Sequence, residues 1–307
     1  DAKIKAVFTE EMDRAGAPER LNIIGEDFGG PTIIAFGTPG QQQRYLRPIL
    51  TGEHIWCQLF SEPESGSDLA SLRTAAVKVE GGWKITGQKI WTSRAQLAAH
   101  AILLARTGGG PRHRGITYFL LDMSAPGVRI RPLEHMLGEA EFNEVFLDDV
   151  FVPDDLVVGE VNGGWRLART TLANERVAMG GSSLGKEMDA LLRQIAARKL
   201  PLSAAESGEL GELVAQAHNG RTLDARAVQA RLAGHDPGAA SSVRKLIGVT
   251  HRQSVPDFAL RLLGVDGLVA SQASELFLLN RCLSIAGGTT QILKTAAAER
   301  ILGMPRG

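Results

Sequence analysis

The sequence predicts an α+β multidomain protein with an N-terminal α-helical region, a central β-barrel-like domain and a C-terminal four-helix bundle. Three observations predict it. Apolar residues recur at helical spacing over 1–53, alternate with period two between turn residues over 54–157, and return to helical spacing over 158–307. The 307 residues are enough for two or three cores, and 44% apolar with 22% charged residues is the composition of a folded chain with a hydrated surface.

The elements follow in order. A first helical run, Ile4 to Ala15, closes at Gly16 and Pro18, and its start carries no capping residue, which predicts further residues upstream. Gly29-Gly30-Pro31 reads as a breaker, and Pro39-Gly40 opens a second helix through Gln41, Tyr45, Leu46 and Ile49. Val77–Glu80 and Trp83–Thr86 read as a hairpin joined by a two-residue turn at Gly81-Gly82. Further strands are predicted at Ala101–Ala105, Ile116–Asp122, Val128–Pro132 and Glu144–Leu147, with a loop at Gly108–Pro111. Asn162-Gly163-Gly164 then precedes a long helical run to Ala197, interrupted near Gly180-Gly181. Later helices are predicted from Ser203 towards Gly220, over 222–233, from Asp236-Pro237 to Leu263, and over 290–302.

Composition and motifs exclude several functions. Formal net charge is zero, so nothing in the balance points to nucleic acid or an anionic membrane. No run approaches the roughly 18 apolar residues of a membrane span. Cys57 and Cys282 are too few for a disulfide framework and fit a reducing, cytoplasmic setting, and the N-terminus has no signal-peptide pattern. The seven histidines are scattered and no Cys-x-x-Cys occurs, so no metal site is expected. Gly181-Ser182-Ser183-Leu184-Gly185 matches a hydrolase elbow but follows a helix rather than a strand. Gly180–Lys186 nearly matches a P-loop, but Glu187 stands where a magnesium-binding hydroxyl belongs.

The most informative stretch is Phe60-Ser61-Glu62-Pro63-Glu64-Ser65-Gly66-Ser67-Asp68-Leu69-Ala70, a hydroxyl- and glycine-rich loop leaving an apolar strand. Such a loop brings backbone N–H groups and hydroxyls against a planar, hydrogen-bonding ligand; on these residues alone, an ordinary turn reads equally well. The run resembles the S/T-E-P-x-x-G-S-D signature of the acyl-CoA dehydrogenase family, which lies along the flavin. Further matches follow in order: Gly87-Gln88-Lys89-Ile90-Trp91-Thr92-Ser93, then Phe142–Val145 with Asp149–Pro153, then Gly163-Gly164-Trp165 leading to Glu175-Arg176, then Ile285 to Gly303.

That resemblance implies FAD as cofactor and an acyl-CoA thioester as substrate, dehydrogenated between its α and β carbons to the trans-2-enoyl-CoA. It implies flavin contacts from Phe60, Ser61, Gly66, Ser67, Trp91, Thr92 and Ser93, and from Gly288, Thr289 and Gln291 at the end of the helical bundle. The tryptophan would pack on the flavin and the hydroxyl of Ser93 reach its redox-active edge, with Ser67 and Arg176 also meeting substrate. The flavin would lie between the domains, and the opening part of the family's N-terminal domain would fall outside this chain.

The reaction needs a base for the α proton, and a carboxylate serves best where burial brings its pKa towards working pH. Glu175 has Ala168, Thr171, Leu172, Ala178 and Met179 as helical same-face neighbours, none charged. A surface glutamate or a structural ion pair is the alternative on these residues alone. A branch of the family similar to isovaleryl- and long-chain acyl-CoA dehydrogenases carries its base here, directly before an arginine. The resemblance therefore implies Glu175 as the catalytic base, with Arg176 orienting the region.

Three departures qualify the match. Many members carry the base in a C-terminal Tyr-Glu-Gly-Thr; here Ala286-Gly287-Gly288-Thr289 puts glycine at that place. The Arg-x-x-Phe-Gly segment that reaches a neighbouring subunit's flavin in homotetramers is replaced by Ala197-Arg198-Lys199-Leu200-Pro201. The Gln-x-x-Gly-Gly-x-Gly segment becomes Arg261-Leu262-Leu263-Gly264-Val265-Asp266-Gly267. The expectation is an oligomer of the α2β2 kind, pairing this chain with a second acyl-CoA-dehydrogenase-like subunit, with an electron-transfer flavoprotein as oxidant. A non-catalytic partner subunit is the competing reading, and a flavin oxidase or monooxygenase on the same fold a third.

Overall fold

The computed structural model describes residues 4, 7–8, 11–12, 14–18, 20–110, 112–181, 186–234, 240–269 and 271–305; the side chains of 176–181, 186 and 231 lie outside that description. The chain divides into two compact units, Glu19–Glu175 and Asp1–Pro18 with Arg176–Gly307.

The first unit joins a short helical segment to an eight-stranded sheet. A π-helical turn, Ile24–Gly29, runs straight into α1 (Gly30–Phe36), and α2 (Pro39–Thr51) follows. The breaker expected at Gly29-Gly30-Pro31 is therefore absent. Pro31 stands at the second residue of α1, where the π-helical turn passes into it. Thr38 starts α2 with a full capping box, its hydroxyl accepting from Gln41 N–H while the Gln41 side chain accepts from Thr38 N–H. Asn22 ties this segment to the sheet. Its amide donates to the carbonyls of Ile49 and His54, and its Oδ1 accepts from the N–H of Trp56.

The strands are β1 (Trp56–Leu59), β2 (Ala75–Val79), β3 (Gly82–Ser93), β4 (His100–Arg106), β5 (Ile116–Asp122), β6 (Val128–Leu133), β7 (Phe142–Pro153) and β8 (Val157–Val158). They pair in the order β6-β7-β3-β2-β4-β5-β8, with β1 parallel to β4 off that path. Among the described residues no pairing joins β6 to β8, so the ladder runs open from one to the other. β4 and β5 are buried on both faces, as their near-continuous apolar sequences require, whereas β6 alternates and carries Arg129 and Arg131 at the edge. The hairpin turn is one residue earlier than expected. Val79 pairs with Gly82, so the turn is Glu80-Gly81, with Gly81 at φ 72°.

From this sheet α3 (Gly164–Gly181) departs. Gly164 is required there: a Cβ would lie 2.7 Å from the Thr117 carbonyl carbon and 2.7 Å from the Tyr118 nitrogen, so only glycine lets the helix start against the β5 backbone.

The second unit is helical: α4 (Lys186–Arg198), α5 (Ala204–Leu232), α6 (Ala240–Leu263), α7 (Gln272–Leu279) and α8 (Thr290–Arg300). α6 packs against each of the others. Met188, Leu191, Leu213, Ala217, Val255, Phe258, Ala259 and Ala273 form the buried core. The separate helices expected on either side of Gly220 are one continuous α5; Gly220 is buried rather than a break. Residues 182–185 and Asp236-Pro237 lie outside the described residues, as does the serine of the hydrolase-like Gly181–Gly185 motif. No described helix is long and apolar enough to cross a membrane.

Candidate active site

The expected flavin loop leaves the end of β1 and folds back on itself. The N–H and C=O of Glu62 and Ser65 exchange two 3.0 Å hydrogen bonds, and the Ser65 hydroxyl donates to the Asp68 carbonyl at 2.8 Å. A buried ion pair anchors it. Lys89, on β3 and fully buried, donates to Glu62 Oε1 at 2.8 Å and to the Phe60 carbonyl at 3.0 Å. The Glu62 carboxylate also accepts from the backbone N–H groups of Arg73 and Thr74. Burial pushes the Lys89 amine down to about 8, its attraction to Glu62 only partly offsetting the loss of water. Burial also acts to raise Glu62, but the Lys89 charge and the hydrogen bonds outweigh it and hold the carboxyl below its usual range.

The two sequence segments thus meet. Ile90 N–H donates to the Ser61 carbonyl at 3.0 Å, setting the loop beside an irregularity in β3 between Lys89 and Thr92. At that irregularity Trp91 takes φ 61° and turns its ring outward, 63% exposed, with Phe142 edge-on at 6.2 Å. A left-handed tryptophan within a strand is strained, and here the strain displays a large aromatic face. Thr92 beside it is buried, and neither its hydroxyl nor the Oδ1 of its cross-strand partner Asn143 has a hydrogen-bond partner. Ser61 and Ser93 are half-buried, Gly66 and Ser67 exposed, and a Cβ on Gly66 would meet nothing within 4 Å. An exposed aromatic face, unsatisfied polar atoms and an unobstructed glycine suit a planar heteroaromatic ring, so these residues fit FAD.

Glu175 is reached from the same strand. Gln58, on β1 and two residues before Phe60, donates from Nε2 to Glu175 Oε2 at 3.1 Å. Glu175 is 8% exposed. One turn earlier on α3, the hydroxyl of Thr171 lies 2.9 Å from that of Thr32 on α1 and 3.2 Å from that of Tyr118 on β5. The Tyr118 ring in turn meets Phe60 edge-on at 6.0 Å. The chain of cause runs from Gly164, which seats α3 on β5, through Thr171, which fixes its rotation, to Glu175, which lands on Gln58. Arg176 lies within α3, and its side chain is outside the described residues.

In the helical unit, Gly287 and Gly288 take φ 62° and 97°, and Thr289 caps α8 by accepting from Ile292 N–H. Gln291 is exposed. Lys245 on α6, 1% exposed, donates to the carbonyls of Ala286 and Gly288 and so grips the backbone on both sides of Gly287. Gly287, with no side chain, offers no proton acceptor at the place of the C-terminal glutamate. Among the described residues no three His, Cys, Asp or Glu gather as a metal site requires.

Sequence reasoning passed over Gln58, Glu62, Lys89 and Lys245. Glu62 and Lys89 stood inside the quoted motifs, where a polar residue set beside apolar ones is a sign of a buried partner. Gln58, a lone amide in Trp56-Cys57-Gln58-Leu59, gave a fainter signal of the same kind.

Comparison with known proteins bears on the whole chain. Models of the N-terminal, middle and C-terminal domains of acyl-CoA dehydrogenases match residues 1–53, 57–150 and 162–302. The chain is 53% identical to acyl-CoA dehydrogenase FadE34 of Mycobacterium tuberculosis over 95% of its own length, and spans 41% of that protein. It is 39% identical to acyl-CoA dehydrogenase IpdE1 of the same organism, covering 98% of this chain and 80% of the relative. Among solved structures, the Tcur3481-Tcur3483 steroid ACAD superimposes with a TM-score of 0.90 at 28% identity, covering 98% of this chain and 81% of that one. The ChsE4-ChsE5 complex from Mycobacterium tuberculosis does so at 0.89 and 28%, covering 100% and 83%. The chain belongs to the acyl-CoA dehydrogenase family of FAD-dependent oxidoreductases.

Proposed function

We propose that this protein dehydrogenates an acyl-CoA thioester to the trans-2-enoyl-CoA, with Glu175 as base. The observation that carries the reading is the buried Glu175 carboxylate held by Gln58, on the strand that runs directly into the flavin loop. Ionised Glu175 takes the proton from the α carbon and becomes a carboxylic acid. Bound FAD would supply the hydride acceptor for the β carbon, and the electron pair of the α C–H bond would then close the double bond. Phe60, Ser61, Gly66, Ser67, Trp91, Thr92, Ser93, Gly288, Thr289 and Gln291 are assigned to the flavin, with Ser67 and Arg176 also serving substrate. Residues 1–53, 54–157 and 158–307 are read as the helical, barrel-like and four-helix-bundle domains of the family. Relatives described as steroid ACADs support a bulky steroid side-chain ester over a short fatty acyl group. An electron-transfer flavoprotein as oxidant and a cytoplasmic location belong to the same reading.

Glu175→Gln keeps the size of the side chain and removes its basicity. In the flavin-loaded protein it is expected to cut dye reduction about 100- to 10,000-fold while flavin absorbance stays unchanged. The assay compares octanoyl-CoA, isovaleryl-CoA and a steroid side-chain CoA ester. A second reading, a partner subunit that shapes another chain's site, draws on Gly287 at the alternative base position and on neighbours solved as two-component complexes. Undiminished turnover by a complex carrying Glu175→Gln would select that second reading.

A further inference from the structure

We propose that Gln58 is a positioning residue for Glu175, holding its carboxyl in one orientation before and after proton transfer; the inference rests on the assignment of Glu175 as base. Gln58 Nε2 donates to Glu175 Oε2 at 3.1 Å, as an amide facing an ionised carboxylate must, since its oxygen would repel the charge. The other end of the same amide, Oε1, is buried and has no hydrogen-bond partner. A buried amide oxygen left without a donor loses its hydration with nothing in return and calls for an explanation.

Proton abstraction provides one. Once Glu175 has taken the α proton, its carboxyl carries an O–H where none existed, and that O–H needs an acceptor. An amide presents donor and acceptor side by side, so Gln58 meets the carboxylate with its N–H and the carboxylic acid with its Oε1. The backbone holds the amide in place. Gln58 pairs with Ile102 in the parallel β1–β4 ladder, and it precedes the loop anchored by Lys89 by two residues. Strand β1 thereby sets both the base's orientation and the start of the flavin loop.

The test uses the complete flavin-loaded protein, with any partner subunit it requires, and whichever of the three CoA esters turns over fastest. Gln58→Leu removes both functions at similar volume, and Gln58→Glu keeps a polar group of the same reach should the leucine variant fail to fold. Loss of a positioned base is expected to lower kcat about 10-fold or more with KM within about twofold. The isotope effect on kcat with α-deuterated substrate is expected to rise, because proton abstraction then limits turnover. Gln58→Glu is expected to be slowed as well, two carboxyls in contact sharing one proton. A kcat within twofold of the parent and an unchanged isotope effect in a folded, flavin-bound variant overturn the proposal. If Glu175→Gln abolishes turnover while both Gln58 variants are silent, this inference alone fails. If Glu175→Gln is itself silent, the base assignment fails first.

Discussion

Glu62 and Lys89 show how much of this site depends on single buried charges. Together they bind the hydroxyl-rich loop after β1 to β3, and each would be costly without the other. Replacing Glu62 with glutamine leaves Lys89 buried without its counter-charge, at an expected cost of about 3–5 kcal/mol near neutrality. The sign of the pH dependence follows from the carboxyl being held below its usual range. Its contribution is fully present above the unfolded carboxylate value of about 4.3 and is lost as pH falls through the lower folded value. Thermal unfolding by circular dichroism should therefore show a large gap between parent and Glu62→Gln at pH 7 that narrows towards pH 3. A gap of constant size would assign the loss to packing rather than charge. At this scale the sequence was partly legible. That the segment around Trp91 and the hydroxyl loop belong together was readable from their two motifs, and Ile90 N–H on the Ser61 carbonyl joins them. Gln58 was not, because its role exists only where β1 and α3 meet.

At the scale of elements, β2, β4, β5 and β6 were legible to within about two residues, since period-two alternation and turn glycines are local signals, whereas β3 and β7 run well past the predicted 83–86 and 144–147 and β8 was not predicted. Helix continuity was not. Glycine at Gly29-Gly30 and at Gly220 reads as a break, yet both positions are buried inside continuous helix, where packing outweighs the intrinsic penalty. Gly208 and Gly211 on α5 differ from these, for a Cβ at either would meet nothing within 4 Å. Gly211→Ala is expected to stabilise α5 by about 1 kcal/mol and raise Tm by roughly 2–4 °C in scanning calorimetry. An unchanged or lowered Tm would show that the glycine serves a contact made outside this chain.

For the molecule as a whole, the altered segments at 197–201 and 261–267 support an assembly of unlike chains rather than four copies of one. Co-expressed with a second acyl-CoA-dehydrogenase-like chain of the same genome, this protein is expected to elute as an α2β2 complex with bound flavin, measured by light scattering and absorbance. A homotetramer with full flavin and full activity would refute that expectation. The family, the order helix–sheet–helix and the hydroxyl-rich loop after the first strand were determined by the sequence alone, because motifs and hydrophobic periodicity are written in consecutive residues. Only the tertiary structure decided that Lys89 secures the loop, that Gly164 seats α3 on β5, and that Gln58 holds Glu175. Each of these depends on a distance between residues far apart in the chain, and such distances are set by how elements pack rather than by any local pattern.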